Sequence, residues 1–171
     1  RMALSGLANK QLVAALLAAG VPAVGLSGED GVLLEAAPTT DARLGQVGEF
    51  VAPAGDAPDA LGASARAAGR VGGRVNVALL ALLVGAGYCP VVSPVSASTA
   101  ARGVALNVNG DDAAAAVAAA IGAAELFFMA DVPGVLVDGI PVQLLDAAAT
   151  HGLVASGTAA GGMAAKLEAA R

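Results

Sequence analysis

Residues 106–136 read LNVNGDDAAAAVAAAIGAAELFFMADVPGVL. The stretch holds a strand end, a polar corner, an alanine helix, a second apolar strand and a glycine loop. Val104, Leu106 and Val108 alternate with Ala105 and Asn107, and this period of two predicts a short strand. Asp111 or Asp112 is placed to cap the next helix, because a carboxylate there accepts a bond from a free backbone N–H. Residues 113–121 are strong helix formers, and Gly122 is suited to end the run. Leu126, Phe127, Phe128 and Met129 are continuously apolar, the pattern of a core strand covered on both faces. Polar side chains appear where each strand runs out, at Asn107, Asn109 and Asp111 and again at Asp131. Open α/β sheets bind ligands beyond the carboxyl ends of their strands, so chemistry is expected here.

The same alternation of helix and strand extends outward. Residues 3–19 carry Leu4, Leu7, Leu12, Leu16 and Leu17 at near-helical spacing, with Gly20 and Pro22 to stop the helix. Residues 23–26 read as a buried strand, 27–31 as a turn, and 32–35 and 47–51 as strands, the second half-exposed. Residues 53–73 are rich in Ala, Gly, Pro and Asp and predict a flexible loop or insertion; Arg66 and Arg70 in it, with Arg74 just after it, read as a solvated basic patch. Residues 76–84 predict a helix burying Leu79, Leu80, Leu82 and Leu83. Residues 88–95 predict a strand and 96–102 a small polar loop. Beyond the central stretch, 135–142 predict a hairpin turning at Asp138-Gly139, with helices at 143–151 and 161–171. The passages AALLAAGVPAVGL (14–26) and ALLVGAGYCPVVS (81–93) share helix-to-strand chemistry and do not indicate a repeat. The fold class is α/β, with a mainly parallel sheet in a single domain of residues 1–171.

Composition narrows the function. Hydrophobic residues make up 57 % of the 171, yet Gly, Pro or charge interrupts every run before it reaches the length of a membrane span. A net charge of −5 and 2 % aromatics argue against nucleic-acid binding. The single cysteine, Cys89, forms no internal disulfide and fits a reducing compartment, the cytoplasm; it reads as a buried apolar side chain. With one His and one Cys a zinc site built on them is excluded. Asn9 and Lys10 read as a surface or subunit-interface pair, and His151 as a surface residue. No GxxxxGK[ST] sequence occurs, which rules out a P-loop kinase.

Seven segments, in order, resemble the amino-acid kinase family: GLANKQLV (6–13), GLSGEDG (25–31), LGQVGE (44–49), GYCPVVSPV (87–95), LNVNGDDAA (106–114), DVPGVL (131–136) and GGMAAK (161–166). The similarity is greatest to its acetylglutamate-phosphorylating branch and covers almost the whole chain, the 53–73 loop being the main departure. It implies a three-layer α/β/α sandwich in which phosphoryl transfer crosses the sheet's C-terminal edge. It also implies ATP as phosphoryl donor with Mg2+ held mainly by the nucleotide, N-acetyl-L-glutamate as acceptor in arginine biosynthesis, and a homodimer or higher homo-oligomer.

By position, the resemblance assigns Asn107, with Asn109 beside it, to the substrate. Asp111 positions catalytic lysines, and Lys166 stabilises charge on the transferring phosphoryl group. Asp131, Val132, Pro133, Gly134, Val135 and Leu136, then Thr158, Ala159, Ala160 and Met163, go to the nucleotide. The chemistry is consistent, since phosphoryl transfer needs positioning and positive charge more than covalent catalysis. Lys166, read as near a helix N-terminus, would add to that end's partial positive charge. Asn107 and Asn109, read as alternate strand positions, would point the same way.

The resemblance is to the middle and nucleotide side of such an enzyme. A leading strand ending in a lysine and paired glycines, a substrate-gripping arginine, and a closing strand and helix are expected outside these residues. The 171 residues alone are therefore expected to be inactive. An aminoadipate-type relative and a non-catalytic nucleotide-binding remnant are the alternatives. Taken singly, Asp111 is a helix cap, 131–134 an ordinary turn and Lys166 a solvated helix residue.

Overall fold

The structure, a computed structural model, describes residues 2–50, 70–71, 75–130, 134–137, 140–158 and 161–169. The chain forms two compact units, Arg1–Gly122 and Ala123–Arg171.

The first unit opens differently from the single amphipathic helix expected. A π-helix, Met2–Ala8, runs into α1, Asn9–Ala18. In the wider-wound part the Ser5 hydroxyl lies 2.7 Å from that of Ser93 and 3.4 Å from that of Ser27. The helix then stops where glycine permits. Gly20 adopts φ +80°, its N–H donates to the Leu17 carbonyl, and the Val21 N–H reaches back to Leu16.

β1, Ala23–Ser27, follows. Asn9 is buried rather than at the surface. Its Nδ2 donates to the Val91 and Leu26 carbonyls at 2.8 and 3.3 Å, and Lys10 Nζ donates to the Gly25 carbonyl at 2.9 Å. The fit depends on Gly25. A Cβ there would collide with Asn9 Oδ1 and lie 2.6 Å from Lys10 Nζ.

The strand expected at 32–35 begins late. Gly31 and Val32 both have left-handed φ, +56° and +50°, inside a 3-10 turn, Asp30–Val32, and that backbone cannot join a ladder. β2 is accordingly Glu35–Pro38, and the fully buried Leu33 and Leu34 precede it. A second 3-10 turn, Ala42–Leu44, carries Arg43, whose Nε and Nη2 donate to Asp41 at 2.8 and 2.7 Å and hold that exposed carboxyl below its ordinary range. β3 is Gly48–Glu49, with Gly48 facing the core and Glu49 facing out. Of the 53–73 segment, only β4, Arg70–Val71, is described; it pairs antiparallel with β5, Val75–Asn76. Arg66 and Arg74 lie outside the described residues.

α2, Val77–Gly85, is capped by Asn76 Oδ1, which accepts from the Leu79 N–H. It buries Leu80, while Leu82 is 69 % exposed, contrary to the expected burial of all four leucines. α2 ends like α1: Gly87 has φ +84°, its N–H donates to Val84, and the Tyr88 N–H donates to Leu83. β6, Cys89–Ser93, then pairs parallel with β1, Ala23 opposite Cys89 and Ser27 opposite Ser93. Cys89 is exposed, not buried.

At Pro94 the chain breaks from β6 and re-enters as β7, Val95–Ser98, where a polar loop was expected. Ser96 is fully buried. β7 pairs parallel with β2 and antiparallel with β8, Ala105–Asn107, giving a four-stranded sheet in the order β3-β2-β7-β8. α3, Gly110–Ile121, ends at the left-handed Gly122, as expected. Leu34, Ala36, Leu80, Leu106, Val108 and Ala113 form the core between these elements. The fold is α/β, with parallel pairing at β1–β6 and β2–β7.

The second unit holds β9, Leu136–Val137, paired antiparallel with β10, Ile140–Pro141, then α4, Ala147–Ala155, and α5, Gly161–Ala169. The hairpin matches expectation, with Val137 opposite Ile140; Asp138 and Gly139 lie outside the described residues. α4 starts later than expected because Asp146 Oδ1 caps it, accepting from the Ala149 N–H at 2.7 Å. His151 is exposed. Residues 125–130 form no strand, and Phe127 and Met129 are 80 % and 94 % exposed. The run Leu126, Phe127, Phe128, Met129 is therefore not core: apolarity makes a core strand only with ladder partners, and none is present among the described residues.

Candidate active site

In the first unit the candidate residues gather where β8 passes into α3. Asn107 closes the strand. Its backbone N–H donates to the Gln46 carbonyl at 2.9 Å, and its side chain is exposed. Val108 turns inward and is buried, its N–H bonded to the Pro94 carbonyl at 3.0 Å.

Asn109 is the N-cap of α3. Its backbone is extended, and its Oδ1 accepts from the N–H groups of Asp111 and Asp112 at 2.8 and 3.4 Å. This corrects two expectations. The cap is neither Asp111 nor Asp112, because the helix begins at Gly110, ahead of both. Nor do Asn107 and Asn109 share one strand face, because β8 ends at Asn107 and the Asn109 amide oxygen turns to the helix. The two aspartates instead occupy the first turn, where negative charge meets the helix's partial positive end. Behind that turn a cavity of about 370 Å³ is lined by Pro90, Val92, Pro94, Gly110, Ala113 and Val117 among others. It is apolar and offers no acid or base for phosphoryl chemistry.

In the second unit, Gly134 has φ +146° and leads through Val135 and Leu136 into the hairpin. Thr158 follows the left-handed Gly157, and its hydroxyl lies 2.9 Å from that of Ser156. Ser156 was not singled out from the sequence; a Ser-Gly-Thr run gives only a generic turn signal. Met163 and Lys166 lie on α5, both half-buried. Lys166 is in the last turn of α5, not near its N-terminus, because the helix spans only Gly161–Ala169. Its charge there is favoured by the carboxyl end of the helix dipole. Lys166 Nζ stands 5.7 Å from the centre of the Phe128 ring, within cation–π range. Asp131, Val132, Pro133, Ala159 and Ala160 lie outside the described residues.

The amino acid kinase family matches residues 1–171. The chain is 44 % identical over 169 residues to the acetylglutamate kinases of Geobacillus kaustophilus and of Rubrobacter xylanophilus. Each alignment covers 99 % of this chain and 56 % of the relative, so the chain spans little more than half the length of these proteins. That of Chloroflexus aurantiacus is 42 % identical, with 59 % of it covered. The crystal structure of smu.665 from Streptococcus mutans UA159 superposes with a TM-score of 0.76 at 23 % identity, covering 99 % of this chain and 59 % of that one, a likeness of fold. With its full length matched, this chain belongs to the amino acid kinase family.

Proposed function

We propose that the protein carrying this chain transfers the γ-phosphoryl group of ATP to the side-chain carboxylate of N-acetyl-L-glutamate. A carboxylate oxygen attacks the γ-phosphorus, the bond to the β–γ bridging oxygen breaks, and ADP and N-acetylglutamyl 5-phosphate leave. The observation that carries this reading is the polar corner between β8 and α3. It sets an exposed amide, Asn107, two residues before the N-cap of α3 and puts Asp111 in the first turn. The 44 % identity to proteins named acetylglutamate kinase supports the choice of acceptor.

Asn107 holds the amino-acid end of the substrate, and Asp111 orients the catalytic lysines. Residues 131–136, 158–160 and Met163 contact the nucleotide. Lys166 stabilises the charge that develops on the phosphoryl oxygens, an electrostatic role that needs no covalent step. Magnesium enters on the nucleotide phosphates; among the described residues no three His, Cys, Asp or Glu side chains gather to hold a metal ion. No helix among the described residues is long and apolar enough to cross a membrane. A cytoplasmic place in arginine biosynthesis fits the single cysteine, and a homo-oligomer fits the exposed leucines of the first helix.

The test is steady-state kinetics of the whole protein with N-acetylglutamate and MgATP, before and after Lys166→Ala. The parent is expected to form the acyl phosphate, trapped as its hydroxamate. The variant is expected to lose about 10²–10³-fold in kcat with a smaller change in KM. No acyl phosphate from the parent rejects the activity. A raised KM with kcat untouched rejects the role of Lys166.

A further inference from the structure

We propose that Asn109 is a positioning residue that acts through α3 rather than a contact to the substrate. This rests on the kinase reading above and refines it, because the sequence resemblance groups Asn109 with Asn107. The geometry separates them. Asn107 is the last residue of β8, its backbone tied to Gln46 and its amide exposed. Asn109 has turned out of the strand, at φ −62° and ψ 132°, and its Oδ1 is engaged by two N–H groups. The shorter bond, 2.8 Å, is to the backbone N–H of Asp111 itself. That bond fixes the peptide plane from which the Asp111 side chain springs. The Ala113 N–H also donates to the Asn109 carbonyl, at 3.0 Å, so the residue closes the first turn from both its side chain and its main chain.

Asn109 therefore governs where the Asp111 carboxylate stands, while Asn107 is left to meet the ligand. The neutral amide also suits the place. An aspartate would cap as well, but it would add a third carboxylate to a turn that already holds Asp111 and Asp112 and that faces an anionic substrate.

The test compares Asn109→Ala with Asn109→Ser in the whole protein, serine being a neutral cap of similar strength. Three quantities are measured: Tm, hydrogen exchange at the Asp111 and Asp112 amides, and the kcat and KM for N-acetylglutamate. Alanine is expected to lower Tm by about 2–4 °C, to speed exchange at both amides, and to reduce kcat about tenfold or more with little change in KM. Serine is expected to restore all three. An alanine variant with unchanged Tm and unchanged exchange but a raised KM would overturn the proposal in favour of direct contact. A serine variant that regains Tm and exchange but not kcat would overturn it too. If the parent forms no acyl phosphate, it is the kinase reading that fails, and the Tm and exchange data still decide whether Asn109 fixes Asp111.

Discussion

Ser96 shows what a polar residue costs when a strand takes it inward. It is fully buried at the middle of β7, and its hydroxyl meets no hydrogen-bond partner among the described residues. Such a group loses water and gains nothing in return. Ser96→Ala is therefore expected to raise stability by about 1 kcal/mol in urea denaturation, with an unchanged fold. A loss of that size would show that the hydroxyl is satisfied after all. In the sequence, Ser96 sits among Ser, Thr and Ala and reads as loop, since residue type alone does not say which side chains a sheet will cover. Asn9, buried where the sequence suggests surface, follows the same logic. An amide beside a lysine looks solvated until the carbonyls of Leu26 and Val91 are seen to need a donor. Asn107 and Asp111 were legible as a pair worth noticing, because they stand beside a strand end. The cap at Asn109 is not legible, because it depends on a helix start two or three residues earlier than a cap at Asp111 or Asp112 implies.

Elements with strong local signals were read well. Gly20 and Gly122 end their helices in left-handed backbone, and β9 and β10 pair within the residues expected to form a hairpin. Elements whose existence depends on distant partners were not. Residues 88–95 predict one strand, and Pro94 within them is the junction of two. The run at 126–129 has the composition of a central strand and is not one. The seat of α1 on β1 belongs to this scale and is decided by space rather than propensity. Gly25→Ala would drive a methyl into Asn9 Oδ1 and crowd Lys10 Nζ and Val13. A destabilisation of about 1–3 kcal/mol is expected by thermal or chemical melting, with Asn9→Ala in the same chain recovering part of it. Additive losses in the double variant would mean that the helix rides elsewhere.

At the scale of the whole molecule, the distribution of exposed apolar side chains is the feature to test. Leu12 and Leu17 on α1 are each 53 % exposed, and Leu7, just before it, is 62 % exposed. On the proposed homo-oligomeric reading these side chains meet a second copy. Leu12→Glu with Leu17→Glu is then expected to convert the sedimenting species to monomer with Tm lowered only by the loss of association. A parent protein already monomeric at tens of micromolar would remove the reading. The family is legible across almost the whole length, the 53–73 segment apart, because its signals are local and ordered, whereas the two-unit division follows from contacts no single segment encodes. One last consequence lies in the glycine-ended passages that deliver β1 and β6. Ser5 from the opening helix reaches both strands where Ser27 stands opposite Ser93. A slip of one residue between Gly87 and Ser93 would turn every side chain of β6 to the opposite face. Spacing, more than chemical identity, is what drift in this gene must leave alone: many letters there are free to change, but none to be added or dropped.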